Sequence, residues 1–222
     1  MAAAGYTLDD PTDLTELRDR IHIRVAGGEE AAATHPEAKR PLGADLWEVV
    51  AMSPGPGDTS DRMRLVGDPE ALFEIGRANV RAKSVSRQSL GGEVWVVIGD
   101  HAAARLVSLD QEPEAGEESL VLIPYDNVLL YHPVTSTPAL MSAIAAMLGH
   151  ADTIDGMSPS LCRKSLYVYR RGKLSALPAS LENRQLSIGD ENSDEPLLER
   201  MIEFMQSLGA GTFQPHADGD LE

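Results

Sequence analysis

Apolar positions along this chain recur with two periods. Leu46 to Met52 (LWEVVAM), Glu93 to Ile98 (EVWVVI) and Leu120 to Ile123 (LVLI) are short, β-branched runs bounded by Pro or Gly, as buried strands are. Arg62 to Val66 (RMRLV) and Leu166 to Arg170 (LYVYR) alternate at period two, and Val128 to His132 returns from the preceding run. Between these lie stretches of helical period. Leu72, Ile75, Gly76 and Val80 form one stripe opposite Glu70, Glu74, Arg77 and Arg81. Leu140, Ile144, Met147 and Leu148 form another. Asp68-Pro69 and Thr137-Pro138 open the two helices alike, with an oxygen to cap free N–H groups and a proline where none is needed. Gly149 is the expected stop of the second.

The predicted order is strand, strand, helix, strand, twice over. Pro54 to Pro124 is 70 positions, Asp68 to Thr137 is 69 and Val94 to Leu166 is 72. This spacing predicts an α+β fold of tandem ββαβ units. They form mainly antiparallel sheet with helices packed on it, plus N-terminal and C-terminal helices. The expected divisions are an N-terminal helix and flexible link over 1–44, and an α+β core over 45–178, with units at 45–110 and 117–178. An acidic segment over 179–222 then carries an amphipathic helix at 194–208 and a mobile tail. In that helix Leu197, Met201, Phe204, Met205 and Leu208 share a face, Ser193 caps the start and Gly209 the end.

Composition narrows the function. With 35 acidic against 19 basic residues the net charge is −16, which repels a phosphate backbone and disfavours nucleic-acid binding. The single Cys excludes an internal disulfide. No apolar run approaches the roughly 18 residues of a membrane span, and MAAAGYTLDD lacks the basic and hydrophobic parts of a secretory signal. A cytoplasmic protein is expected.

Motifs for chemistry are sparse. There is no Walker loop, dinucleotide fingerprint or HExxH. His150, Asp152 and Asp155 form the one short cluster that presents an imidazole and two carboxylates to a cation. Asp100, ahead of Ala102-Ala103-Ala104, reads as a helix cap. Cys162, beside Arg163 and Lys164, reads as a small, partly buried thiol. The basic cluster Arg163, Lys164, Arg170, Arg171 and Lys173 is expected to meet the acidic residues 190–195. Tyr125, Asp126 and Asn127 read as a hairpin corner after Pro124, which presets the turn.

From about Glu70 to Leu174 the pattern resembles the YtpQ-like uncharacterised bacterial family. The likeness lies in Ala78-Asn79-Val80, Ile123-Pro124-Tyr125-Asp126, and the stretch from Ser160-Leu161 to Tyr169 ending at Gly172. Tyr125 stands where that pattern has a small residue. The resemblance implies a cytoplasmic bacterial α+β protein and supplies no catalytic residues.

The expected function is therefore non-enzymatic protein–protein interaction, as a regulator, secretion adaptor or immunity-type protein. The partner is a basic protein or a second copy of the chain, with no cofactor, nucleic acid or membrane. Tyr125, Asp126 and Asn127 at the corner and Met201, Phe204 and Met205 on the last helix are the candidate partner contacts. The alternative is a metal-dependent hydrolase using His150, Asp152 and Asp155.

Overall fold

The computed structural model describes residues 18–53, 68–91, 93–112, 114–154, 165–182 and 185–188, with Leu197, Glu199, Met201 and Glu203. The architecture is α+β with antiparallel sheets. Strand β1 is Ile21–Gly27, followed by the short helix α1 (Gly28–Ala32), β2 (Lys39–Gly43) and β3 (Leu46–Met52). Helix α2 is Pro69–Ala82, then β4 (Ser86–Ser89), β5 (Trp95–Ile98) and a 3-10 segment, Ala102–Gln111, kinked at Ser108. Next come β6 (Glu118–Tyr125), β7 (Val128–Pro133), α3 (Thr137–Ile154), β8 (Leu166–Arg170) and β9 (Lys173–Leu177). The hairpin of β10 (Ala179–Glu182) and β11 (Gln185–Ile188) follows.

The main sheet has six strands in the order β4-β5-β7-β6-β8-β9. Both of its faces are covered, which is why β6 reads as a continuous apolar run. Leu120 and Leu122 pack with Leu130, Leu166 and Val168 under Leu140, Ile144 and Met147 of α3. Their neighbours Val121 and Ile123 point the other way, to Ala102, Ala103, Leu106 and Leu109 of the 3-10 segment. A smaller sheet, β1-β3-β2, lies beside it. Its Ile21, Ile23 and Val50 pack on Leu72, Phe73 and Val80 of α2. The helix comes close because it carries Gly76 there: a Cβ at that position would stand 2.9 Å from Ile23 Cδ1. Glu48, buried in the same layer, accepts two bonds from Arg77 of α2, at 2.6 and 2.5 Å.

Several expectations are met. β3 and β8 have the predicted bounds, β6 and β7 contain the predicted strands, and Asp68 caps α2 by accepting from the Glu70 N–H at 3.1 Å. Others are corrected. The 1–44 segment, read as helix and link, contributes β1 and β2 to a sheet with β3, because Ile21, Ile23 and Val25 alternate with His22 and Arg24. The two units differ in sheet membership: β3 belongs to the small sheet, while β6, β7 and β8 share the large one. Strand 62–66 lies outside the described residues. Ser136, not Thr137, caps α3, accepting from the Ala139 N–H at 3.4 Å. That helix also runs through Gly149 to Ile154.

Pro124 is inside β6 rather than at the turn. It falls where the β6–β7 register slips by one residue between Leu122 and Tyr125, a place that tolerates a missing N–H. The turn itself is Asp126-Asn127. Arg170 and Arg171 pair with Glu118 and Glu117, while residues 190–195, the expected partners of the basic cluster, lie outside the described residues. A strand partner supplies the acid, since Glu118 lies directly opposite Arg170 in the β6–β8 register. Among the described residues no helix is long and apolar enough to cross a membrane.

Candidate functional site

The densest group of chemically capable side chains sits where the two sheets meet. β1 places His22 and Arg24 two residues apart, so both leave the face opposite α2. The β6–β7 turn supplies Asp126. His101 comes from the junction between β5 and the 3-10 segment, on left-handed backbone with φ of 58°. That conformation is costly for a residue with a Cβ, and the fold holds it from two sides. The Ala103 N–H donates to the Asp126 carbonyl at 3.0 Å, and the Gly99 N–H donates to the Asn127 carbonyl at 3.1 Å. His101 heads the 3-10 segment without a side-chain cap, and Asp100 does not cap it.

The geometry is specific. The rings of His22 and His101 stack with centroids 3.9 Å apart and planes 20° apart. His101 Nδ1 lies 3.2 Å from Asp126 Oδ2, and an ionised carboxylate only accepts, so Nδ1 carries the proton. Arg24 Nε stands 3.7 Å from the other carboxylate oxygen, and its Nη1 is 2.9 Å from Glu30 of α1. His22 Nδ1 lies 3.2 Å from the Arg20 carbonyl, which also makes it a donor. Ser53 Oγ is 3.5 Å from that same nitrogen.

The electrostatics follow from this arrangement. Burial, reinforced by the charge of His101, pushes His22 down to about 4. For Asp126, burial pushes the carboxyl up, but the hydrogen bond from His101 and the charge of Arg24 outweigh it. The carboxyl therefore titrates below its ordinary range.

A serine beside a histidine invites a hydrolytic reading, and the geometry argues against it. A general base must accept the serine proton on a free lone pair. His22 Nδ1 already donates to a carbonyl, so Ser53 has no base there. Metal binding fares no better, because stacked rings do not converge their lone pairs on one point. Among the described residues no group of three or more His, Cys, Asp or Glu side chains is placed to hold a metal ion.

The predicted site residues scatter. Asp126 turns inward to the cluster, Tyr125 is half-buried and Asn127 is exposed. Met201, read as a partner contact, is fully buried with Leu197 in the core under α3, because the main sheet leaves apolar area there for a second helical stripe. Phe204 and Met205 lie outside the described residues. So do Cys162, Asp155 and the side chain of Asp152, while His150 is within α3 rather than on a loop leaving it.

A second polar group lies on the face of the main sheet that carries the 3-10 segment. Buried Glu112 accepts from Arg87 and, at 2.9 Å, from Arg105. Arg105 in turn donates to the carbonyls of Arg81 and Lys83 at the end of α2, at 3.1 and 2.8 Å. Tyr131, Tyr167 and Tyr169 reach out of the sheet to Glu114, Asp45 and Asp110. Burial, together with the Glu114 carboxylate, pushes the Tyr131 hydroxyl up. These groups bind one another and serve the fold.

One surface feature remains. Among the described residues β4 is an edge of the main sheet, and all four of its residues are exposed. The other edge, β9, meets the small sheet through Gly43 and Leu174. The exposed large hydrophobics among the described residues, Leu90 at 44% and Ile98 at 40%, flank β4 at its two ends. No protein-family model, curated protein or solved structure matches this chain.

Proposed function

We propose that this chain is a non-enzymatic interaction protein that takes an extended segment of a basic protein partner onto the open edge of β4. The observation that carries the reading is the exposed edge strand itself. The Leu90 N–H donates to the Val94 carbonyl at 2.8 Å, and that register continues through Gln88–Val96 and Ser86–Ile98. In an antiparallel pair the intervening residues face away, so Arg87 and Ser89 turn their N–H and C=O groups outward. An open row of this kind templates an added strand. Gln88 and Leu90 share a sheet face with Ile98 and offer shallow apolar contacts to alternate side chains of the guest.

Charge chooses the guest. The net charge of −16 draws a basic partner by long-range attraction and repels a second copy. Arg87, the one charge on β4, is met by Glu112. A cytoplasmic regulator, secretion adaptor or immunity-type protein of bacterial origin fits this mode, and a homodimer fits it less well. The hydrolase alternative rests on His150, Asp152 and Asp155, of which Asp155 and the side chain of Asp152 lie outside the described residues.

A test uses a labelled octapeptide of alternating Lys and Val in fluorescence anisotropy. Wild-type protein should bind it at low salt and progressively less as salt rises, since exposed charges are screened. Ser89→Pro removes an outward N–H while sparing the bonds to β5, and should weaken binding at least tenfold with the melting temperature nearly unchanged. Equal binding by both proteins, or none by wild type, contradicts the proposal.

A further inference from the structure

The histidine stack joins two rigid jaws. On one side His22 is fixed by the Arg20 carbonyl, and Arg20 is tied to the end of β3: its Nε donates to the Ser53 carbonyl at 3.0 Å, and the Ser53 N–H donates back at 2.9 Å. On the other side His101 and the β6–β7 turn form one piece, held by Ala103, Gly99 and the His101–Asp126 bond. Across the gap run the ring stack at 3.9 Å and the looser Arg24–Asp126 pair at 3.7 Å.

We propose that this stack is a proton-operated latch: a second proton on the pair parts the rings and frees β1 from the β6–β7 turn.

Each neutral ring already uses its Nδ1 proton, so further protons arrive at Nε2. His101 has the Asp126 carboxylate 3.2 Å from its Nδ1. His22 has only a carbonyl in that place, so a charge on its ring faces the second imidazole across 3.9 Å with no carboxylate of its own, and two charges on the pair repel. The surroundings do not rescue it. β1 and the residue before it bring two more cations, Arg24 and Arg20. α1 brings Glu30, engaged with Arg24, the turn brings Asp126, and the segment before the 3-10 helix brings Asp100 beside His101. The like-charge pair is relieved only by separation, which lets water reach both rings.

The sign follows from linkage. His22 is lowered to about 4 in the closed state, against roughly 6.5 for a free imidazole, so the open state binds more protons between those values. Closure is therefore complete at neutral pH and is lost progressively as pH falls from about 6.5 toward 4. The opening equilibrium should rise roughly 20-fold between pH 7 and pH 5.

Two measurements decide the matter. Imidazole NMR titration of the wild-type chain, with the His22 signal assigned by its loss in His22→Phe, should place His22 about two units or more below the ordinary value, distinct from His132, which burial also lowers. Relaxation dispersion on the ring signals of His22 and His101 should show the population of the open state rising by that 20-fold between pH 7 and 5, while the amides of β1 stay protected by their pairing with β3. In His22→Phe, which keeps a flat ring and cannot charge, the dispersion at the His101 ring should no longer depend on pH in this range. An ordinary titration of His22 in the wild type would overturn the latch. So would pH-dependent opening that persists undiminished in His22→Phe.

Discussion

Replacing Gly43 with alanine is expected to destabilise the protein by about 3–5 kcal/mol and to lower its melting temperature by roughly 10 °C. Two costs add. Gly43 ends β2 at φ of +114°, where a side chain strains the backbone by about 1–3 kcal/mol. A Cβ there would also stand 2.1 Å from the Leu174 carbonyl oxygen of β9. That neighbour is backbone in a paired strand and cannot swing aside, so the two sheets must part. Gly28, at the start of α1, has nothing within 4 Å of its would-be Cβ. Gly28→Ala should therefore be neutral or stabilising by up to about 1 kcal/mol. Thermal unfolding followed by circular dichroism measures both. Similar losses at the two positions would show that the joint between β2 and β9 is not as close as described.

Removing the carboxylate of Glu112 should cost about as much, for a different reason. Glu112 and Arg105 are both buried, and Arg105 also serves the last carbonyls of α2. Glu112→Ala leaves Arg105 as an uncompensated buried charge, a loss of about 3–5 kcal/mol. Arg105→Met with Glu112→Leu removes both charges and should be less damaging than the sum of the single changes. The α2 carbonyls then lose a donor, which keeps the double variant below wild type. Chemical denaturation of the two single variants and the pair gives the coupling. Strict additivity would mean that the two groups do not depend on each other.

The elements legible in the sequence were those whose signal is local. β3 and β6 are continuous apolar runs because both of their faces are covered, and α2 announces itself by Asp68-Pro69 and one clean stripe. β1 was legible in principle: Ile21-His22-Ile23-Arg24-Val25 alternates at period two, but the Gly- and Ala-rich stretch after it suggested a link. Gly149 does not stop α3, since a glycine inside a helix costs only about 1 kcal/mol and packing on the main sheet exceeds that. The histidine cluster had no local signal. Its residues come from positions 20–24, 53, 101 and 126, and only the meeting of two sheets brings them together. The open edge was equally hidden, because which strand ends a sheet depends on pairing and not on composition.

The central claim, that a basic partner adds a strand to β4, is tested most directly by a photo-crosslinking phenylalanine in place of Gln88, irradiated in native lysate. The reading predicts a discrete adduct with a basic protein at low salt. The adduct should fade as salt rises and vanish when Ser89→Pro is added to the same chain. An adduct that survives Ser89→Pro in a chain of unchanged melting temperature, or no adduct at low salt, would contradict it.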